Sequence, residues 1–117
     1  MIAIIDYGAG NIFSVKNALD YLGVENKLTA DKNEICAADE IILPGVGAFP
    51  WAMKMLRDSG LVDTIREEAR KKPFLGICLG MQLIFDKGYE FEETDGLRLI
   101  GGKVEKIDRK DMIIPHM

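Results

Sequence analysis

The sequence predicts an α/β domain built on a mostly parallel β-sheet, with helices on both of its faces. Two observations carry this prediction. Short apolar runs recur at residues 2–6, 41–43 and 73–77, as in strands that are buried on both faces, and residues 24–29 can form a further strand. Segments with the apolar spacing of helices separate these runs. Strands that alternate with helices in this way form parallel sheets.

The predicted helices lie between the strands. Gly23 ends the first of them, and Gly60 separates two later ones, because glycine commonly terminates a helix. This order of elements is typical of flavodoxin-like and Rossmann-like folds. The helical segments are residues 12–22, 31–38 (a short helix or a turn), 49–59, 61–71 and 79–85.

The pattern changes near residue 88. Residues 89–93 are acidic and aromatic, which indicates a loop or an edge segment. Short strand-like pieces follow, and they predict a small antiparallel excursion after residue 95. No helix follows the last piece, so we interpret residues 1–117 as the N-terminal part of a single domain. The strand-like pieces are residues 97–100, 103–107 and 112–115.

Composition excludes several classes of function. With 117 residues and 48% hydrophobic content, the chain forms one small domain with a real core. Its 15 basic and 19 acidic residues are interspersed, which argues against a nucleic acid or an anionic membrane surface as partner. No apolar run reaches the roughly 20 residues that span a bilayer. The N-terminus lacks the basic segment of a signal peptide, and two cysteines fit a reducing compartment, so we expect a cytoplasmic protein.

The first glycine turn, residues 8–13, follows the first predicted strand. A dinucleotide-binding fingerprint requires glycine where this sequence has Phe13, because the helix packs closely on the strand there. The departure argues against dinucleotide binding. The turn is then an ordinary connection in which Asn11 can cap the following helix.

The second glycine turn, residues 44–49 (PGVGAF), follows the third predicted strand. Gly45 and Gly47 leave the peptide groups around Val46 free to rotate. A rotated peptide could direct a backbone N–H at a developing oxyanion. An ordinary glycine-rich loop has the same composition, and this motif alone favours the ordinary interpretation.

The third glycine turn contains the strongest candidate for catalysis. Residues 74–82 read as a strand, the pattern G-x-C-x-G and a helix, which is the cysteine form of the nucleophile elbow. Gly76 and Gly80 remove the Cβ atoms that would clash in such a strained turn. Cys78 would then face outward at a helix N-terminus, which favours the thiolate. Nothing near Cys36 in the sequence would activate its thiol, so we interpret Cys36 as a buried structural cysteine.

These motifs resemble a known family. Residues 76–82 (GICLGMQ) resemble the signature of class I, triad-type glutamine amidotransferases. Taken with residues 44–49, 6–11 (DYGAGN), 101–104 (GGKV) and 115–117 (PHM), they are similar to the glutaminase subunits of imidazole glycerol phosphate synthase. The resemblance runs along essentially the whole chain, and it implies an incomplete class I amidotransferase domain.

The resemblance implies a reaction and a set of site residues. Cys78 would be the nucleophile that attacks L-glutamine, and the backbone N–H groups of Leu79 and Val46 would stabilise the oxyanion. Gly45, Gly47 and Gln82 would line the substrate site. Ammonia would pass to a (β/α)8-barrel cyclase subunit in histidine biosynthesis. The family implies no cofactor and no metal.

One departure from the family is large. Its catalytic histidine and glutamate lie downstream of the segment that this chain contains, and His116, the one histidine here, is not at the position of the base. We therefore expect little or no turnover from these 117 residues alone. Three alternatives stay open: an amidotransferase for another acceptor, a stand-alone cysteine hydrolase or chaperone-like protein with the same elbow, and a non-catalytic binding module.

Overall fold

A four-stranded parallel sheet forms the centre of the molecule. The structure is a computed structural model that describes residues 1–8, 12–85, 87–88, 93–99 and 103–104. Residues 103 and 104 are described by their backbone only. The strand order is β2-β1-β3-β4. The strands are β1 (Ile2–Ile5), β2 (Asn26–Thr29), β3 (Glu40–Leu43) and β4 (Phe74–Gly76).

Helices connect these strands, as the apolar spacing predicts. Gly23 adopts a φ of +71° directly after the first helix, which confirms it as the residue that ends the helix. Asp31 caps the second helix by accepting a 2.7 Å hydrogen bond from the backbone N–H of Asn33. The helices are α1 (Ile12–Tyr21), α2 (Lys32–Ala37), α3 (Phe49–Asp58), α4 (Val62–Ala69) and α5 (Leu79–Leu83).

The sheet carries helices on both faces, which confirms the predicted fold class. The chain moves outward from β1 to β2 and then crosses back to β3 on the other side of β1. Right-handed crossovers in opposite directions place α1 on one face and the later helices on the other. The buried cluster joins Ile5, Ile41 and Leu43 to side chains of α2, α3, α4 and α5. No residue of α1 is fully buried, so the main core lies on the face opposite α1.

A second, smaller sheet follows α5. It consists of β5 (Lys87–Gly88), β6 (Thr94–Asp95) and β7 (Lys103–Val104) in the order β6-β5-β7. The pairing of β5 with β6 is antiparallel, as expected, whereas β5 and β7 are parallel. Because it contains both kinds of pairing, this is a mixed sheet. It begins at Lys87, earlier in the chain than the predicted excursion after residue 95.

Residues 97–99 form no strand, although their sequence predicted one. Their backbone N–H groups donate to the carbonyls of Leu83, Phe85 and Ile84 at distances of 2.7 to 3.1 Å. Those carbonyls close the C-terminal end of α5 and have no helical partner of their own. Leu97 is fully buried, so its apolar character reflects core packing and not a strand.

Several sequence predictions fall outside the described residues. They are the helix cap at Asn11, most of the loop at 89–93, the strand at 112–115 and the placement of His116. In the part of the chain that the structure describes, no helix is long and apolar enough to cross a membrane.

The first turn of α5 rests directly on the carboxyl end of β3. A Cβ atom at Gly80 would overlap the carbonyl oxygen of Leu43 and lie 2.8 Å from its carbonyl carbon. The same oxygen accepts a 3.0 Å hydrogen bond from the N–H of Ile77. Only glycine permits this approach of two backbones. The contact places residues 77–80 beside the loop that leaves β3.

Because the contact at Gly80 is between backbones, Gly80→Ala should destabilise the fold by about 3 kcal/mol, the upper part of the usual cost of overpacking. Chemical denaturation measures the loss. Gly60→Ala is the matched control: Gly60 has a φ of +74° and no atom within 4 Å of the added Cβ. The control should lose only about 1 kcal/mol, from backbone strain. Equal losses in the two variants would show that the close approach does not matter.

Candidate active site

The loops that follow β3 and β4 meet at one end of the sheet and line an open cleft of about 380 Å³. In doubly wound sheets this is the edge where ligands bind, close to the point at which strand order reverses. All six residues that the sequence and its resemblance assigned to the site line this cleft, together with Met81. Those six are Gly45, Val46, Gly47, Cys78, Leu79 and Gln82. Their catalytic roles stay predictions, but the fold brings them together.

Cys78 adopts a backbone conformation that side chains rarely occupy. Its φ is +55° and its ψ is −122°, at the residue that precedes α5. Such strain persists only where the surrounding structure enforces it, and it is common at functional sites. The turn is tight: a Cβ atom at Gly76 would lie 2.7 Å from the Cα of Met81 and 2.8 Å from the carbonyl oxygen of Gly80. The strained turn that the glycine spacing predicted is therefore present, and Cys78 is exposed at its tip.

The two cysteines have different surroundings. Cys36 lies in α2, where desolvation and then a hydrogen bond to the Glu68 carboxylate raise the pKa of its thiol. The Glu68 carboxylate itself stays charged, because a hydrogen bond from Lys72 lowers its pKa. A raised thiol pKa reduces the fraction of reactive thiolate. Cys36 is nevertheless exposed, so the expectation of a buried structural cysteine is wrong, and only its raised thiol pKa agrees with low reactivity.

The predicted oxyanion donor at Leu79 already has a partner. Its backbone N–H donates a 3.0 Å hydrogen bond to the carbonyl oxygen of Gly45. Gly45 fits there because it lacks a side chain: an added Cβ would lie 2.8 Å from the Tyr7 hydroxyl and 2.9 Å from the Gly80 nitrogen. The loop after β3 thus faces the elbow, as predicted. In the structure, however, the loop carbonyl occupies the Leu79 donor.

The middle of this loop is open to solvent, while its far end is buried. Val46 is 50% exposed, and Gly47 has a φ of +101°. Phe49, which begins α3, is fully buried. An added Cβ atom at Gly88, in β5, would lie 2.5 Å from the Phe49 ring, and one at Gly96, just after β6, 3.2 Å from it, so the second sheet packs directly on this ring. The loop therefore has a free centre and a fixed C-terminal end.

Tyr7 supports the loop of this site from below, a role that no sequence motif predicted. It follows β1, is only 4% exposed, and donates a 2.7 Å hydrogen bond from its hydroxyl to the carbonyl oxygen of Pro44. Burial raises its pKa to about 12, so the hydroxyl keeps its proton at neutral pH. Its position at the carboxyl end of a central strand was the one feature of the sequence that could have indicated a role at the site. Its partner, 37 residues away, could not be read from the sequence.

Within the described residues, no group of three or more His, Cys, Asp or Glu side chains is placed to hold a metal ion. The chemistry that the cleft offers is that of an exposed cysteine next to the backbone N–H of Leu79, which the Gly45 carbonyl occupies in this structure. Such an arrangement suits nucleophilic attack on a carbonyl or amide carbon.

Comparison with known proteins shows close relatives. The chain is 52% identical over 118 residues to an imidazole glycerol phosphate synthase subunit HisH from Bacillus thuringiensis (strain Al Hakam), covering 100% of this chain and 56% of that protein. It is 56% identical over 119 residues to a protein of the same name from Lacticaseibacillus casei (strain BL23), covering 100% and 57%. The chain thus spans little more than half the length of these relatives.

A solved structure has the same fold. The crystal structure of a glutamine amidotransferase matches with a TM-score of 0.73 at 24% identity, over 90% of this chain and 56% of the other. At that identity the likeness concerns the fold alone.

The family assignment rests on a match along nearly the whole chain. Residues 3–113 match the pattern of the family described as glutamine amidotransferase class-I. This agrees with the elbow at Cys78 and with the α/β sheet that presents it. The chain belongs to the class-I glutamine amidotransferase family.

Proposed function

We propose that this chain is the nucleophile-bearing part of a glutaminase subunit of imidazole glycerol phosphate synthase. The intact protein would hydrolyse L-glutamine to glutamate and ammonia. One observation carries the proposal: the strained elbow at Cys78 and the glycine loop around Val46 line the same cleft. The names of the relatives that match the whole chain support the choice of this enzyme over other amidotransferases.

The first chemical step is attack on the glutamine side chain. The Cys78 sulfur bonds to the carboxamide carbon, and the carbonyl oxygen becomes an oxyanion. Gly45, Gly47 and Gln82 line the cleft and would hold the substrate. The cleft volume of about 380 Å³ lies within the range of small-molecule sites.

Stabilising the oxyanion requires a change in the loop. The Leu79 N–H, which donates to the Gly45 carbonyl in the structure, must become available. Rotation of the Gly45–Val46 peptide would free it, and the same rotation would turn the Val46 N–H toward the elbow. The glycines on both sides of Val46 permit such a rotation. Two donors would then converge on the oxyanion.

The remaining steps need a general base. A histidine, oriented by a glutamate as the family implies, would take the thiol proton and deliver it to the departing ammonia. Water then hydrolyses the glutamyl thioester and releases glutamate. We propose that this pair lies in the part of the relatives' length that the chain does not span. His116 lies outside the described residues and is not assigned this role.

The proposed partner is a (β/α)8-barrel cyclase subunit that receives the ammonia. Rotation of the loop offers a means by which this partner could switch the glutaminase on, because a misaligned donor costs about 10²–10³ in rate. We place the enzyme in the cytoplasm, where biosynthetic reactions occur and thiols such as Cys36 and Cys78 stay reduced.

Limiting iodoacetamide should modify Cys78 at least about fivefold faster than Cys36 in the folded chain. Both thiols are exposed, but desolvation and a hydrogen bond to Glu68 raise the pKa of the Cys36 thiol, which reduces its thiolate fraction. Peptide mass spectrometry measures both sites in one sample, and the urea-unfolded chain should lose the difference. Equal labelling of the two cysteines in the folded chain would contradict an activated Cys78.

Ammonia release from L-glutamine tests the function itself. The chain can be fused to the part of the Bacillus thuringiensis relative that it does not span. This fusion should release ammonia in the presence of the barrel subunit. The 117 residues alone should be slower by several powers of ten, because they lack the base. Cys78→Ala should abolish turnover. Substantial activity of the 117 residues would overturn the assignment of the base, and stimulation by a different acceptor subunit alone would overturn the choice of partner.

Val46→Pro removes the N–H that the rotated peptide would offer. In the intact protein we expect kcat to fall by about 10²–10³ with a smaller change in KM, since the donor acts on the transition state. Val46→Ala keeps the N–H and is the matched control, with an expected loss of less than about tenfold. If the two variants lose the same activity, the Val46 N–H is not an oxyanion donor.

A further inference from the structure

Tyr7 contacts the glycine loop at the residue before the peptide that would rotate. Its hydroxyl donates to the carbonyl oxygen of Pro44 at 2.7 Å, in a buried setting. The same hydroxyl fills the space beside Gly45, where an added Cβ would lie 2.8 Å from it. Tyr7 thus lies beneath the loop on the core side, and the cleft lies on the other.

Two hydrogen bonds fix two successive peptide groups. Tyr7 holds the carbonyl of Pro44, which belongs to the Pro44–Gly45 peptide. Leu79 holds the carbonyl of Gly45, which belongs to the Gly45–Val46 peptide. Rotation of the second peptide breaks the bond to Leu79 but leaves the bond to Tyr7 intact. The hydrogen bond from Tyr7 therefore limits the rotation to the Gly45–Val46 peptide and keeps the Pro44–Gly45 peptide in place.

The other end of the loop is also fixed. Phe49 is fully buried under Gly88 and Gly96 of the second sheet region. A loop held at Pro44 and at Phe49 can move only between them, where Val46 and Gly47 are exposed. Confined motion of this kind preserves the position of a rotating N–H to within the small tolerance that catalysis allows.

We propose that Tyr7 is a positioning residue of the oxyanion loop: its hydroxyl holds the Pro44–Gly45 peptide in place so that only the Gly45–Val46 peptide rotates. The inference rests on the proposed function for its catalytic meaning. The anchoring itself is a property of the chain and can be tested without catalysis. Without the hydroxyl, the Pro44 carbonyl is left buried without its donor, and the loop shifts as a whole.

Amide hydrogen exchange on the 117-residue chain tests the anchoring. Tyr7→Phe keeps the ring and removes only the hydroxyl. Tyr21→Phe is the matched control, because Tyr21 is 90% exposed on α1. In Tyr7→Phe the Leu79 amide should exchange about tenfold faster, since its acceptor on Gly45 is no longer held in place. The Ile77 amide, bonded to Leu43, should change by less than about twofold.

A uniform change would overturn the proposal. If the Leu79 and Ile77 amides accelerate by the same factor, or if neither changes, Tyr7 only fills the core. The Tyr21→Phe chain should match the unmodified chain at both amides, and an effect there as large as in Tyr7→Phe would also count against the proposal.

The catalytic consequence is measured in the intact protein with its barrel subunit. Tyr7→Phe should lower kcat, expressed per folded molecule, by about tenfold and leave KM for glutamine within about twofold. An unchanged kcat would refute the positioning role. If the unmodified protein releases no ammonia, the proposed function fails, whereas the exchange experiment still decides whether Tyr7 anchors the loop.

Discussion

The site depends on the contacts of the Leu43 carbonyl group with the turn that follows β4. This carbonyl group ends β3, accepts the N–H of Ile77 and leaves no room for a side chain at Gly80. These contacts place the backbone of the turn after β4 directly against the backbone at the end of β3. The loop after β3 begins one residue later, so it cannot avoid the elbow. If these two backbones were farther apart, Cys78 and the glycine loop would not line the same cleft.

The positive φ of Cys78 follows from the same packing. The strand and helix on either side are both held against β3, so the two residues that join them, Ile77 and Cys78, must make the turn, and Cys78 takes the positive φ. A strained conformation of this kind costs about 1–3 kcal/mol, which the surrounding contacts must offset. Glycines at 76 and 80 reduce crowding without relieving the strain at 78. The thiol is therefore presented outward by the fold and not by any contact of its own.

The sequence predicted the parallel sheet and its helices because strands covered on both faces, such as β1 and β3, form unbroken apolar runs. The elbow was predictable because glycines two residues before and after a cysteine remove the Cβ atoms that would crowd such a turn. The second sheet was harder, since its described strands are two residues long and too short for any periodicity. The hydrogen bonds of Tyr7 to Pro44 and of Leu79 to Gly45 were out of reach, because they depend on how distant loops are oriented.

The bond between the Leu79 N–H and the Gly45 carbonyl also affects discrimination among ligands. A neutral ligand oxygen that replaces the Gly45 carbonyl forms a bond of the same kind as the one it breaks. An oxygen that gains a full negative charge forms a bond roughly twice as strong. The donor therefore favours a developing anion over water or a ground-state amide. On the proposed function, the loop carbonyl competes for the Leu79 N–H, and the developing oxyanion displaces it more readily than a neutral substrate oxygen does.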